Sequence, residues 1–533
     1  MKLLLTALLF FSPLILVAKT ITYEQISKMP RSNARNFYIW RYFKQDIPTS
    51  KAQKAFEKIT FVTQKLFHAY AKKSPLNEIK EASRCMKLSH TKLLKEKDIY
   101  CAATALTKYK AAKMGRKNRE KLFKKIAPHF KEIASWLEPM TKKDPTAYLL
   151  NKDPKTFIEI FTNAGGKYRK QMDYNLPKEF LDKLSKENGF NKTVSKIVTN
   201  NSLVKLQKSL LKLKVSNYSH KTTFFLAMNA LKQKNEKLAL KLIKKASKNA
   251  YFKMDIDKTT FWKYLITKDK KILEKLSKSS DNNIYSLYAK EIKDKKLDTL
   301  ITNIKADKKK AKHSINTPFE WLTILRNIKK KNSSELKKYL KEFTTKELLP
   351  VNAFIQERMF KYKRHPYIIP YREHFKHQKL DTQALILAIG RQESRFIPPS
   401  ISSAYALGVM QLMPFVAKAI AKQKKEKLDL DDMFKPGKNL EYAQSHLKYL
   451  LNSLEHPLFI AYAYNAGLGF FNRVKKGGAF NGAQYDPFIS MELIPYAETR
   501  KYGKKVLANY IIYKKLLGES TSVVALFDKL KHS

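Results

Sequence analysis

The 533-residue chain is short of glycine (14), proline (20) and cysteine (2). Scarce glycine argues against a mainly β fold, which spends glycines on its many turns, and against collagen-like or low-complexity chains. Two cysteines exclude a disulfide-dense scaffold and a four-cysteine zinc module. The 11 histidines are scattered. His446 and His456 lack ligand spacing and companions, and no glycine-rich phosphate loop occurs, so no metal, nucleotide or other cofactor is expected. Acidic residues are also few, 46 Asp+Glu against 106 Lys+Arg, for a net charge of +60. Of the basic residues 91 are lysine and 15 arginine. Lysine is a hydrated point charge, whereas arginine reads phosphates and bases with a bidentate fork. The sign of the charge suits a polyanion, but its chemistry argues against a nucleic-acid partner. At 44% hydrophobic and 12% aromatic residues, the chain is too apolar to be disordered and too long for one ordinary core, which implies two to four domains.

The first 18 residues read as an export signal. Met1-Lys2 supplies a short positive region, Leu3 to Val17 is almost wholly apolar, and Ala18-Lys19 offers a cleavage site. The run falls short of the about 20 residues of a membrane span. Leu16 departs from the small residue preferred before such a cut, and a retained anchor is the alternative. No cysteine stands there for a lipid anchor. Export makes Cys85 and Cys101 a candidate disulfide, worth about 3 kcal/mol by loop closure; two buried free thiols are the alternative.

The chain changes character near residue 380. Four glycines precede residue 390 and ten lie from Gly390 onward. Residues 381–533 carry a net charge of +8, the preceding 380 residues +52. In the earlier part apolar residues recur at three- and four-residue spacing, as in Phe225, Met228, Ala230 and Leu231, then Leu238, Leu240, Leu242 and Ile243. Phe261, Trp262, Tyr264 and Leu265 precede Ile272, Leu273 and Leu276. Ile284, Tyr285, Leu287 and Tyr288 precede a predicted helix on Leu297, Leu300, Ile301 and Ile304. Repeated helix–turn–helix units predict an α-helical superhelix, with an irregular helical domain as the alternative. Lined with lysine, it would attract an anionic polymer or membrane surface in a salt-sensitive, sequence-blind way.

The later part carries the chemistry. Ala384, Leu385, Leu387, Ala388 and Ile389 predict an apolar helix that runs into Arg391-Gln392-Glu393-Ser394 and breaks at Pro398-Pro399. Glu393 thus falls at the negative end of a helix dipole, where burial and dipole both raise a carboxyl pKa, as a general acid requires. Ser402 and the segments Gly408-Val409-Met410-Gln411, Ala463-Tyr464-Asn465-Ala466-Gly467 and Glu498-Thr499-Arg500-Lys501-Tyr502 follow. The cluster Asp429, Asp431 and Asp432, beside Lys424, Lys425 and Lys427, reads as a solvated loop or helix start.

These four segments, in order over about 110 residues, resemble the catalytic domain of the lytic murein transglycosylases, in the soluble, superhelical branch. The resemblance covers residues 366–533. It implies an all-α protein: a signal peptide over 1–18, a superhelical domain with its linker over 19–365, and a lysozyme-like catalytic domain over 366–533, acting in the periplasm. It further implies cleavage of the β-1,4 bond between N-acetylmuramic acid and N-acetylglucosamine in peptidoglycan without hydrolysis, leaving 1,6-anhydro ends. Glu393 would act as acid and then base. Tyr464 would orient Glu393 or the sugar, and Asn465 would anchor its loop. Ser402 and Gln411 would bind the N-acetylated sugar, and Met410 would line the cleft. Glu498 would bind sugar hydroxyls or hold Tyr464, with an ion pair to Arg500 as its plainer role. The chain departs from the family at Tyr405, Val409 and Leu468; the bulk of Tyr405 is expected to reshape a subsite. A goose-type-lysozyme-like hydrolase, a non-catalytic helical wall-binding protein and a basic nucleic-acid binder are the competing readings.

Overall fold

The computed structural model describes residues 20–532; the expected signal at 1–18 lies outside them. The fold is all-α, as expected. Among the described residues the extended structure comprises a two-residue pair, Leu300–Ile301 against His365–Pro366, and isolated bridges.

From Tyr23–Lys28 to Ile284–Ile292 the body is a succession of short helices. Most bury one apolar stripe on their neighbours, as helices of this length must to be stable, while His220–Lys232 is buried on all sides over Thr222–Leu231. His220–Lys232 and Glu236–Lys248 form one such pair, with Ser219 and Asn235 as N-caps accepting from Thr222 N and Leu238 N. The shortage of glycine shows at helix ends: Lys268 closes Lys253–Thr267 at φ 55°, a left-handed position that glycine usually fills.

The Leu297–Ile304 segment is not the helix its spacing predicted. Its backbone finds partners outside itself: His365 N donates to Thr299 O and Tyr367 N to Ile301 O, both over 2.8 Å. Long-range strand pairing overrides local helical periodicity here. Residues 315–359 then fold around a small second core that includes Ile324, Ile328, Leu336, Phe343 and Ile355 and is completed by Ile397 from beyond the Leu380–Ser394 helix.

The body touches the C-terminal unit at both of its ends. Near its start, Asn33–Tyr42 sets Phe37 and Trp40 against Tyr405, with ring centroids 5.6 and 5.5 Å apart. Arg41 reaches Asp429 at 2.7 Å and Asp431 at 2.5 Å. Near its end, Phe261 packs on Phe488 at 4.8 Å, and Tyr288 packs on Phe488 and Phe527. The helical array therefore closes on the unit it carries. Two expectations are corrected. The Asp429–Asp432 cluster is the helix start of its two readings, with Asp429 capping Leu430–Phe434, and not a solvated loop, because two of its carboxylates bind Arg41. Tyr405 is buried at the body contact, 3% exposed, rather than shaping a cleft. Cys85 and Cys101 are joined as a disulfide between two body helices.

Candidate active site

The Leu380–Ser394 helix is buried along residues 383–391 and ends at Arg395 in the left-handed conformation, φ 58°. Glu393 stands one residue before its end, at the lip of the buried stretch. The residue as a whole is half-buried. Burial pushes its pKa up to about 7; a hydrogen bond from Tyr502 pulls the other way, and the charge of Glu498 adds to the rise. No cation offsets the burial. The two arginines beside Glu393 are both taken by one carboxylate, Glu357, which Arg391 meets at 2.6 Å and Arg395 at 2.9 Å.

The hydroxyl that reaches Glu393 belongs to Tyr502, which donates to Oε1 over 2.7 Å. Tyr464, expected in that role, instead donates to the Met410 carbonyl over 2.8 Å. It still sits close enough for the Glu393 charge to help hold its own pKa high, after burial. Two glycines permit this convergence. Gly503 on Ala497–Leu516 lets that helix close onto Tyr462 of Pro457–Ala466, where a Cβ would lie 2.1 Å from the Tyr462 ring. Gly408, at φ 80°, makes the turn that carries Met410, and a Cβ there would meet the Met433 carbonyl at 2.1 Å.

Met410 is fully buried, its N–H held by Asn439 Oδ1 at 2.8 Å. Asn465 ties two helix ends together, its Oδ1 accepting from Thr499 Oγ1 at 2.6 Å. Glu498 is exposed on the lip. Arg500 is not its partner: that side chain donates to the Ile494 carbonyl and lies over the Phe225 ring, 4.8 Å from its centroid. Glu393, Met410, Tyr464, Asn465 and Glu498 thus converge. Ser402 and Gln411 lie in the adjoining loop, partly exposed. Ser402 Oγ accepts from Ala406 N at 2.9 Å, and Gln411 Nε2 donates to the Ser400 and Gly408 carbonyls at 3.1 and 2.8 Å.

Residues 372–485 match the family described as Transglycosylase SLT domain, and residues 493–521 match Soluble lytic transglycosylase helical domain. Over these residues the C-terminal unit is similar to the soluble lytic transglycosylases. The soluble lytic murein transglycosylases of Salmonella typhimurium and Escherichia coli are each 27% identical over 216 residues, which is 39% of this chain and 32% of the relative. The alignment thus spans about a third of those relatives' length. A crystal structure of the 70 kDa soluble lytic transglycosylase of Escherichia coli superposes with a TM-score of 0.48 at 16% identity, covering 95% of this chain and 84% of that one.

The C-terminal unit is held to the body by a second buried network. Lys504 meets Glu492 at 2.6 Å, and the Tyr285 hydroxyl from the body donates to Glu492 as well. Lys504 and Tyr502 share one helix, so the body anchors the helix that supplies the hydroxyl on Glu393. Beside it, a cavity of about 270 Å³ lined by Lys221, Phe225, Lys258, Glu498 and Lys501 lies between the body and the C-terminal unit. A larger, open groove of about 960 Å³ lies around His374, Lys379 and Gln444, at the opposite end of the Leu380–Ser394 helix and roughly 20 Å from Glu393. The site is therefore located by its carboxyl and hydroxyls, not by that groove. Sequence reasoning missed three contributors. Tyr502 was visible in the Glu498–Tyr502 segment but given no role. His446, whose ring lies 5.3 Å from Tyr464, and Glu357 carried no local signal.

Proposed function

We propose that this chain is a lytic transglycosylase of peptidoglycan, cleaving the bond between N-acetylmuramic acid and N-acetylglucosamine with Glu393 alone as acid and base. One observation carries the reading. A half-buried carboxyl near the end of a buried helix, with its pKa raised to about 7, stays protonated in a large fraction of molecules at neutral pH, with no cation among the described residues drawing the proton off. Tyr502 takes Oε1, so the transferable proton sits on Oε2.

Glu393 gives that proton to the glycosidic oxygen as the C1–O bond breaks, and the departing N-acetylglucosamine leaves with a hydroxyl. The substrate's own N-acetyl oxygen supports the electron-poor C1 in place of a second carboxylate. Glu393, now a carboxylate, takes the proton of the muramoyl C6 hydroxyl as O6 closes on C1, which restores the acid and leaves an anhydro ring. Tyr502 steadies the carboxylate between the two transfers. Gln411 and Ser402 meet the N-acetyl groups, Glu498 and Asn465 the sugar hydroxyls. The enzyme is exported to the periplasm, where the lysine-rich body meets the anionic wall.

Glu393→Gln in the full chain tests the assignment. It should abolish release of fragments from purified sacculi and leave glycan binding intact. Turnover by the Gln variant would remove Glu393 from the acid role.

A further inference from the structure

We propose that the exposed face of Tyr496 is a platform on which a sugar ring of the glycan strand stacks; this rests on the peptidoglycan reading above. Tyr496 is 57% exposed, although it lies at the start of a helix buried over most of Thr499–Lys514. Its ring lies flat on Phe470, with centroids 4.3 Å apart and planes 9° from parallel. Phe470 is itself buried at 9% exposure. One face of the tyrosine is therefore fixed by the core while the other meets solvent.

Its place makes this more than a stray surface aromatic. Tyr496 is the N-cap of Ala497–Leu516, two residues before Glu498, the carboxylate whose charge Glu393 feels. Phe470 follows the Gly467 turn that ends the Tyr464–Asn465 helix. The Thr499–Asn465 hydrogen bond clamps these two chain ends together directly beside the ring pair. The aromatic face thus extends the lip that already holds Glu498 and Asn465. A pyranose presents a face of C–H bonds, which packs on an aromatic ring without polar partners. A ring already held flat loses little freedom when it is covered.

The test uses full-length chains and N-acetylated glycan oligomers of defined length. In a Glu393→Gln background, Tyr496→Ala should weaken binding of the longer oligomers about tenfold, while Tyr496→Phe binds as the parent does. In the active chain, Tyr496→Ala should raise KM by a similar factor, with kcat and its pH midpoint unchanged. Two results overturn the platform: an Ala variant that binds like the parent, or a Phe variant as weak as the Ala variant, which would assign the effect to the hydroxyl. Absence of turnover by the unaltered chain on sacculi would instead overturn the peptidoglycan reading.

Discussion

Tyr502 donates its hydroxyl to Oε1 of Glu393 across 2.7 Å, joining the long Ala497–Leu516 helix to the tip of Leu380–Ser394. A donor on a carboxyl favours its charged form, so this bond restrains a pKa that burial drives upward. Tyr502→Phe should therefore move the alkaline limb of the kcat profile to higher pH and lower kcat about tenfold. A pH–rate series on soluble glycan reads both effects. An unmoved limb would mean that the hydroxyl does not act on Glu393.

The same carboxyl should cost the fold stability. Its pKa is about 7 in the native chain against an ordinary value of 4.5. Between those values the native chain keeps a proton that the unfolded chain has released, so stability falls as pH rises through that window. Below it the penalty is absent, and above it the penalty is complete. Glu393→Gln should be more stable than the parent by about 3 kcal/mol at pH 8 and equal to it near pH 4, as measured by urea unfolding at the two pH values.

Glu357 keeps two guanidinium groups away from the acid. Glu357→Gln would leave Arg391 and Arg395 without their shared carboxylate, which should cost about 3–5 kcal/mol. A freed Arg395 would also draw the Glu393 pKa down. Urea unfolding checks the first effect, and a downward shift of the alkaline limb of activity in the folded fraction checks the second.

The disulfide between Cys85 and Cys101 spans a sequence separation of 16. Closing a loop of that size stabilises by about 3 kcal/mol in the chain-entropy picture. Cys85→Ser with Cys101→Ser should lower the urea midpoint without changing the pH dependence of kcat, since the bridge joins two body helices.

Much of this molecule was legible where the chemistry is local in sequence. The apolar run before Glu393 predicted a buried helix with the carboxyl at its end, and the body's helices follow from three- and four-residue spacing. Contacts made across the chain were not legible. Two tyrosines, 464 and 502, follow Glu393 in segments of similar character, and only packing around Gly503 decides which hydroxyl arrives. Arg41 lies 388 residues from Asp429, so the acidic cluster could be read as a helix start but not as the seat of an ion pair with the body. Leu297–Ile304 had a helical pattern, yet its backbone pairs with a strand some 65 residues later. Glu498 and Arg500 looked like an ion pair two residues apart, but residues at that spacing do not face each other on a helix.

The central claim is that one carboxyl first donates and then recovers a proton while the sugar closes on itself. Digestion of purified sacculi, with mass analysis of the released fragments, tests it most directly. The account predicts fragments ending in anhydro-N-acetylmuramic acid, each one water lighter than the hydrolysis product. Fragments bearing a free reducing end would show that water, not the C6 hydroxyl, attacks, and would contradict it.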